Sequence, residues 1–213
     1  MADNTSRLVA LMGALRKNMN GAVLDTFRCY GTDYGLNYGV AIHTLRDMAA
    51  EQGVDDSFAR YLYQQQIREL RIIALWCAEP AKVRTQEDIE YWGGGVINSE
   101  VAEQAAQALL CRMEGVERLL QLWCRPDRNP LLAYTALLAS SRATAVDADM
   151  AVAAIDAVVR YFPDNRLIAQ GAIALAASLI KSHRPMIQSL LCSLSDNPTS
   201  QLLREEVAWR LEY

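Results

Sequence analysis

The chain has 213 residues, of which 52% are hydrophobic, 22% charged and 8% aromatic, a composition that excludes disordered, collagenous and mucin-like proteins. Lys and Arg number 21 against 25 Asp and Glu, so the formal net charge is −4 and binding to a nucleic acid would need a local basic surface. The length is typical of one domain, and we predict a single helical-repeat domain over residues 1–213.

The first helices already show the period that dominates the chain. Apolar residues recur at spacings of three and four, as in an amphipathic α-helix. In the opening segment these residues are Leu8, Leu11, Met12, Leu15 and Met19. The same spacing recurs in the segments 41–49, 116–123, 151–162, 168–179 and 187–194. No segment alternates apolar and polar residues as a strand does, so the sequence predicts an all-α protein.

Helix boundaries are marked by short polar residues and by proline. Asp55, Asn98, Asp147 and Asn197 precede apolar segments, where their side chains can accept hydrogen bonds from the free amides of a first helical turn. All six prolines lie between apolar segments, where they do not interrupt a helix. These signals predict about a dozen helices of roughly 10–17 residues joined by tight turns.

Helix centres recur at a regular distance along the chain. The centres near Ile72, Ala105, Ala136 and Ala172 are about 31–36 residues apart, which is typical of stacked helical hairpins. We therefore predict a right-handed α-α superhelix, a HEAT- or armadillo-like helical-repeat solenoid. The inner helices of such an array line a concave surface, where we expect the functional residues.

Cysteines, histidines and apolar runs restrict the chemistry and the location. The five cysteines are dispersed without the Cys/His spacing of a zinc site, and the sequence contains only two histidines. No signal peptide is recognisable, and no apolar run approaches the ~18–20 residues that span a bilayer. We expect a cytoplasmic protein with reduced thiols, no metal, no cofactor and no membrane partner. No Ser/His/Asp or Cys/His arrangement suggests covalent hydrolysis.

Two glycine-rich connections are candidate binding segments. The three glycines at 93–95 could offer backbone amides to an anion, but they lack the Lys and Ser/Thr of a phosphate loop, which favours a simple turn. The segment 30–39 holds three tyrosines and three glycines. It is either a stacking or partner-binding loop or an ordered connection whose rings cover the first hairpin.

Two charged motifs have alternative interpretations. Arg68 and Arg71 lie in the first turn of a helix, where a positive charge opposes the helix dipole unless Glu69 or a carboxylate from outside the helix compensates it. Of these two, we predict an ion pair with another helix. Glu100, Glu103 and Gln104 share one helix face. This face is either solvated or presents a carboxylate that stabilises a developing cation.

Several of these features occur together in one known family. The segment 68–74 ending at Glu79-Pro80, then Trp92, then Ile97-Asn98 ahead of an acidic helix resembles the HEAT-like DNA alkylation repair family of alkylpurine DNA glycosylases. The resemblance implies an α-solenoid whose concave basic face holds duplex DNA. It also implies release of cationic alkylated purines without a flipped-base pocket, helped by a carboxylate and tryptophans.

The resemblance also implies candidate site residues, with several substitutions. Ser99 and Glu103 stand at the positions of the family's tryptophan and catalytic aspartate, and the segment 131–134, ending in Tyr134, stands where the family has an arginine-containing helix. Ala174 takes the place of a second tryptophan. The catalytic candidates are therefore Glu103 and, as the nearest aromatic residue, Trp92.

A DNA-binding member of this family needs aligned basic residues. We predict that six of them share one face: Lys82, Arg84, Arg112, Arg166, Lys181 and Arg184. The substitutions and the acidic net charge favour a helical-repeat binding module without efficient glycosylase activity. The alternatives are an active glycosylase that excises cationic alkylated purines through Glu103, and a scaffold that binds another protein.

Overall fold

The computed structural model describes residues 3–29, 34 and 36–212. Within these residues the chain forms twelve α-helices and two short 3-10 helices, with no β-strand, so the all-α prediction is confirmed. None of the described helices is both long enough and apolar enough to cross a bilayer. The chain divides into two compact units, Met1–Lys82 and Val83–Tyr213, which we call the first and the second unit.

The first unit is built around one apolar helix. Its helices are α1 (Asn4–Lys17), α2 (Gly21–Cys29), α3 (Ile42–Gln52), α4 (Asp56–Tyr63) and α5 (Arg68–Cys77), followed by the 3-10 helix Pro80–Lys82. Helix α5 packs against both α3 and α4. Its residues Ile72 to Leu75 are completely buried, because this segment is apolar on every side.

A buried ion pair connects α5 to the segment that precedes α3. Arg68 Nη1 lies 3.0 Å from Glu69 Oε1 and donates to the carbonyl of Val40 at 2.8 Å. The same Glu69 oxygen accepts the backbone N–H groups of Tyr38 and Val40. Glu69, which the sequence offers as one source of compensation, is therefore paired with Arg68 and buried beside it. The ion pair with another helix stays a prediction.

The tyrosine-rich connection is only partly described. Tyr34 and Tyr38 are buried, and the Arg68 guanidinium lies 5.6 Å from the centroid of the Tyr34 ring. For these two tyrosines, the structure agrees with an ordered connection. Tyr30, Gly31, Thr32, Asp33 and Gly35, on which the alternative of a binding loop also rests, lie outside the described residues.

The second unit contains the other seven helices. They are α6 (Gln86–Gly93), α7 (Ser99–Ala108), α8 (Glu117–Trp123), α9 (Pro130–Arg142), α10 (Ala148–Tyr161), α11 (Arg166–Ser193) and α12 (Pro198–Glu212), with the 3-10 helix Leu110–Arg112 between α7 and α8. Helix α9 is central: every residue from Ala133 to Ser140 is buried. It packs against α7, α8 and α11, and α11 also packs against α10 and α12.

The predicted helix starts are confirmed by their capping bonds. Asp55 accepts the N–H of Phe58, and Asn98 and Asp147 cap α7 and α10 in the same way. Asn197 Oδ1 accepts the N–H of Ser200 at the start of α12. Each cap supplies an acceptor to an amide that has no partner within its helix.

Helix lengths and one boundary differ from the prediction. The α-helices range from 7 residues in α8 to 28 in α11. Pro185 lies within α11, where a break between two helices was expected, but the backbone leaves helical geometry at His183 (φ −134°, ψ 36°). The break is therefore present as a kink two residues before the proline, consistent with the loss of an amide donor. Met19 lies beyond α1 and is exposed.

The glycines before α7 have a packing role. Gly93 ends α6 against Trp123, and a Cβ atom at Gly93 would lie 2.6 Å from Trp123 Cζ2. Gly94 has an ordinary helical φ of −60°. The turn interpretation is thus supported, since Gly93 is needed for a close approach between side chain and backbone rather than for an open nest of amides.

Candidate functional site

Three of the predicted DNA-binding residues lie on the same helix, α11. Arg166 begins the helix, and Lys181 and Arg184 lie near its kink. Two adjoining clefts between α11 and α12 share Ala177 and Arg210 as lining residues. The larger, of about 510 Å³, is lined by Arg166, Ala169, Gln170, Ile173, Ala174, Ala177, Leu202, Glu206 and Arg210. The smaller, of about 390 Å³, is lined by Ala177, Ile180, Lys181, Arg184 and Arg210. We call the two together the α11/α12 cleft.

Helical geometry explains why these residues line one cleft. Arg166, Ile173 and Ala177 recur at intervals that return to one side of α11 at 3.6 residues per turn. Arg166 and Lys181 are separated along that side by roughly 22 Å, at 1.5 Å per residue. On α12, Leu202, Glu206 and Arg210 follow each other at intervals of four. The cleft is therefore an elongated surface with cations at both ends.

The cations of the cleft differ from other arginines of the second unit in their partners. Arg125, Arg128 and Arg160 each form an ion pair with a carboxylate. Among the described residues, no carboxylate pairs with Arg166, Lys181, Arg184 or Arg210, although Arg184 donates to the backbone carbonyl of Leu211. Glu206 is the only acidic side chain that lines the cleft in this part of the chain. The positive charge of the α11/α12 cleft is thus largely uncompensated.

The other three predicted basic residues lie elsewhere. Arg112 lines a separate cavity of about 270 Å³, together with residues around 111–117 and 143–145. Arg84 is exposed ahead of α6, where its backbone N–H contacts Asp88, and Lys82 is exposed in the first unit. Sequence reasoning missed Arg210. The four-residue spacing of Leu202, Glu206 and Arg210 indicates that they share one side of a helix. It does not indicate that this side faces α11.

Glu103 is exposed on α7 and contacts one residue of α9. The Tyr134 hydroxyl donates a hydrogen bond to Glu103 Oε1 at 3.1 Å. Burial, and then the negative charge of Glu103, raise the pKa of Tyr134 well above its ordinary 10.0. The two residues that stand at family site positions are therefore in contact. The neutral hydroxyl of Tyr134 thus holds the Glu103 carboxylate in place at the surface by donating to one of its oxygens.

Trp92 has a different environment from a surface ligand-binding residue. Its side chain is completely buried, and its ring packs edge-on against Tyr91 with centroids 5.2 Å apart. A base or sugar at the surface of the second unit would not contact the Trp92 ring in this conformation. Its catalytic role stays a prediction, as does that of Glu103.

Two small residues of α11, one of them at a family site position, allow close packing around this helix. Ala174, at the position of the family's second tryptophan, lines the α11/α12 cleft. Gly171, three residues earlier, faces α9: a Cβ atom there would lie 3.1 Å from atoms of Tyr134 and Leu137. The small side chains let α11 approach α9 and leave room in the cleft.

The described residues include four free cysteines but no metal-holding group. No group of three or more His, Cys, Asp or Glu side chains there is arranged to hold a metal ion. Cys77, Cys111, Cys124 and Cys192 are free thiols. Burial raises the pKa of Cys77 to about 11 and that of Cys124 to about 12, so neither is a thiolate near neutral pH.

Comparison with known proteins identifies the fold. No family model matches the sequence, and no curated protein matches it. A solved structure of "a new family of proteins related to the HEAT-like repeat DNA glycosylases with affinity for branched DNA structures" is similar over 94% of both chains, with a TM-score of 0.71 and 12% sequence identity. The predicted resemblance is confirmed at the level of the fold: this chain has the HEAT-like helical-repeat fold of proteins related to DNA glycosylases.

Proposed function

We propose that this protein is a DNA-binding helical-repeat module that binds the phosphate backbone through the α11/α12 cleft and has no efficient glycosylase activity. The observation that carries the proposal is the group of cations in this cleft, Arg166, Lys181, Arg184 and Arg210, with no paired carboxylate among the described residues. The affinity of the structurally similar family for branched DNA supports it.

Electrostatics favour phosphate as the ligand of these cations. A cation that already pairs with a carboxylate must break that pair to bind a phosphate, whereas Arg166, Lys181 and Arg210 need not. The net charge of −4 makes this local surface the more distinctive, because the chain as a whole does not attract DNA. Glu206 opposes binding and limits the affinity of the central part of the cleft.

The proposal of weak or absent catalysis rests on the surroundings of Glu103. A glycosylase of the resembling type stabilises a cationic sugar and base with a carboxylate and aromatic faces. Here the carboxylate is exposed, Ser99 replaces the nearby tryptophan, and the ring of Trp92 is buried. The aromatic side chain that contacts Glu103 in the described structure is Tyr134, which is buried and offers its hydroxyl group rather than an exposed ring face. The cytoplasmic location likewise stays a prediction.

A salt titration of DNA binding tests the main proposal. The double variant Arg166→Ala/Lys181→Ala removes two proposed phosphate contacts, so the slope of log K against log salt should become less steep by about 2, since each contact contributes ~0.9. The matched control is Arg125→Ala/Arg160→Ala, which removes the same charge from arginines that pair with Asp127 and Asp156. The control should keep the slope of the unmodified protein.

Either of two results would contradict the binding proposal. If the unmodified protein shows no salt-dependent binding to DNA, the remaining interpretation is a scaffold for another protein. If the control double variant loses as much slope as the cleft variant, binding does not depend on this cleft.

The alternative of an active glycosylase has one observation in its favour, the surface carboxylate of Glu103 held by Tyr134. Duplex DNA containing 7-methylguanine would be incubated with the protein and the released base measured. We expect no release above the uncatalysed rate. Release that Glu103→Ala abolishes and Glu100→Ala retains would establish the glycosylase and overturn the proposal of an inactive module.

A further inference from the structure

The described part of the chain exposes one tryptophan far more than the others. Trp209, in the last turns of α12, is 61% exposed, whereas Trp92 and Trp123 are completely buried. Trp76 is half-buried, with the Arg46 guanidinium 4.8 Å from its ring centroid. Tryptophan is highly buried on average in folded proteins, so this exposure distinguishes Trp209 from the other three tryptophans.

Trp209 does not itself line the α11/α12 cleft, but it neighbours residues of α12 that do. It directly precedes Arg210, which lines both parts of that cleft. It also follows Leu202 by seven residues, which brings it back to within about 20° of Leu202 around the helix. Leu202 and Glu206 line the same cleft from α12. Helix geometry therefore puts the exposed ring next to the surface on which the proposed phosphate contacts lie.

An aromatic ring beside a row of cations is the arrangement that proteins use to bind single-stranded nucleic acid. The cations follow the phosphate backbone while the ring stacks on a base, and every base has a face that can stack. In an intact duplex both faces of each base are covered by neighbouring base pairs. A base at a flap, a gap or the branch point of a junction has a face available at little or no unstacking cost.

From this arrangement we propose that Trp209 stacks on an unpaired base of branched DNA while Arg210 and the cations of α11 hold the adjoining phosphates. The inference rests on the proposed function and adds to it the kind of DNA that the cleft selects. Phosphate contacts provide affinity for any DNA, and the stacked ring provides the preference for DNA with an unpaired base.

The test compares two DNA probes and three forms of the protein. The probes are an intact duplex and a splayed fork of the same sequence, and the forms are the unmodified protein, Trp209→Ala and Trp209→Phe. Loss of one stacked base should lower the fork affinity of Trp209→Ala between about 5-fold and about 100-fold. Its duplex affinity should stay within about twofold, because backbone contacts dominate there. Trp209→Phe, which keeps an aromatic face, should retain most of the fork preference.

A second readout identifies the ring itself. Stacking on a base quenches tryptophan fluorescence, so the fork should quench the emission of the unmodified protein but much less that of Trp209→Phe. Because Trp209 is exposed, neither substitution should disturb folding, and circular dichroism with thermal unfolding checks this.

The outcomes separate this inference from the proposed function. Salt-dependent duplex binding with equal fork affinity in the unmodified protein and Trp209→Ala overturns the stacking inference and leaves the cleft proposal standing. An equal loss on fork and duplex also overturns it, since Trp209 would then contribute to backbone binding. No salt-dependent binding of either probe by the unmodified protein overturns both.

Discussion

In the first unit, Arg68 and Glu69 are buried side by side and bonded to the backbone of the segment before α3, whereas in the second unit Arg166, Lys181 and Arg210 line an open cleft between α11 and α12. The guanidinium group occurs in both places. In the first it is 2% exposed and contacts Glu69 and the carbonyl of Val40, while in the second no carboxylate of the described residues pairs with it.

This difference shows how burial decides what a charge does for a protein. A buried cation loses its hydration and must recover it from neighbouring protein groups, so removing a partner destabilises the fold. An exposed cation keeps its hydration, contributes little to stability, and remains available to an external anion. We therefore expect substitutions in the first unit's pair to change stability, and substitutions in the cleft to change binding.

The largest expected effect is on the buried pair. Glu69→Ala removes the carboxylate that Arg68 and the N–H groups of Tyr38 and Val40 contact, leaving charge and amide donors buried. Breaking a buried pair in this way costs about 3–5 kcal/mol of unfolding free energy. Urea denaturation followed by circular dichroism measures it.

Arg166→Ala is the matched substitution in the cleft and should leave the urea midpoint nearly unchanged. If Arg166→Ala destabilises the protein as much as Glu69→Ala does, the contrast between a structural and a binding charge is wrong.

An intermediate effect is expected for Tyr134, which is buried but bonded to the exposed Glu103. Tyr134→Phe should cost about 1.5 kcal/mol of unfolding free energy near neutral pH, because it removes one hydrogen bond to a carboxylate that is itself exposed. The pKa of Tyr134 is raised in the folded protein. The contribution of the neutral Tyr134 phenol to the free energy of unfolding is therefore complete below the unfolded-state pKa of about 10. It is lost progressively as the pH rises above that value, because the unfolded chain ionises first.

The measurement for Tyr134 is the pH dependence of the difference between the two proteins. The advantage of the unmodified protein over Tyr134→Phe should be constant below pH 10 and shrink above it, because only the unmodified unfolded chain gains from ionising this phenol. An advantage that grows with alkaline pH would contradict the raised pKa.

The smallest expected effect is in the cleft itself. Glu206→Gln removes the one carboxylate that lines it in the described chain, so DNA affinity at low salt should rise by roughly two- to fivefold, and the gain should fade as salt is added. Glu205→Gln on the same helix is the control, since Glu205 is exposed and does not line the cleft. An equal gain in both variants would mean that net charge, and not the cleft, controls binding.

Much of the fold could be predicted because its signals are local. The three-and-four spacing of apolar residues and the capping residues Asp55, Asn98 and Asp147 act within one helical turn, so each can be recognised without knowing the tertiary structure. The kink at His183 was harder to predict from the sequence. Pro185 announces a break, but its position and the continuation of the helix depend on what packs around it.

The site could be predicted only in part, because it depends on which helices are neighbours. Arg166, Lys181 and Arg184 share one helix, so their grouping follows from the sequence, whereas Arg210 joins them only because α12 packs against α11. Trp92 illustrates the opposite error. It precedes α7 by only a few positions, but α6 turns its ring into the interior, and sequence distance gave no indication of this burial.

The all-α class, the approximate number of helices and their starts could be read from the amino-acid order, since they follow from periodicity and capping along the chain. The likeness to a helical-repeat family came from short motifs such as the segment 68–74 and Ile97-Asn98. The partners of several charges, and their burial, follow from the packing of the helices. Packing buried Arg68 and Glu69 against the segment before α3, brought Tyr134 to Glu103, and left the cations of the α11/α12 cleft without a paired carboxylate in the described chain. The physical reason is that charge pairing and desolvation depend on distances between helices, which the order of residues does not specify.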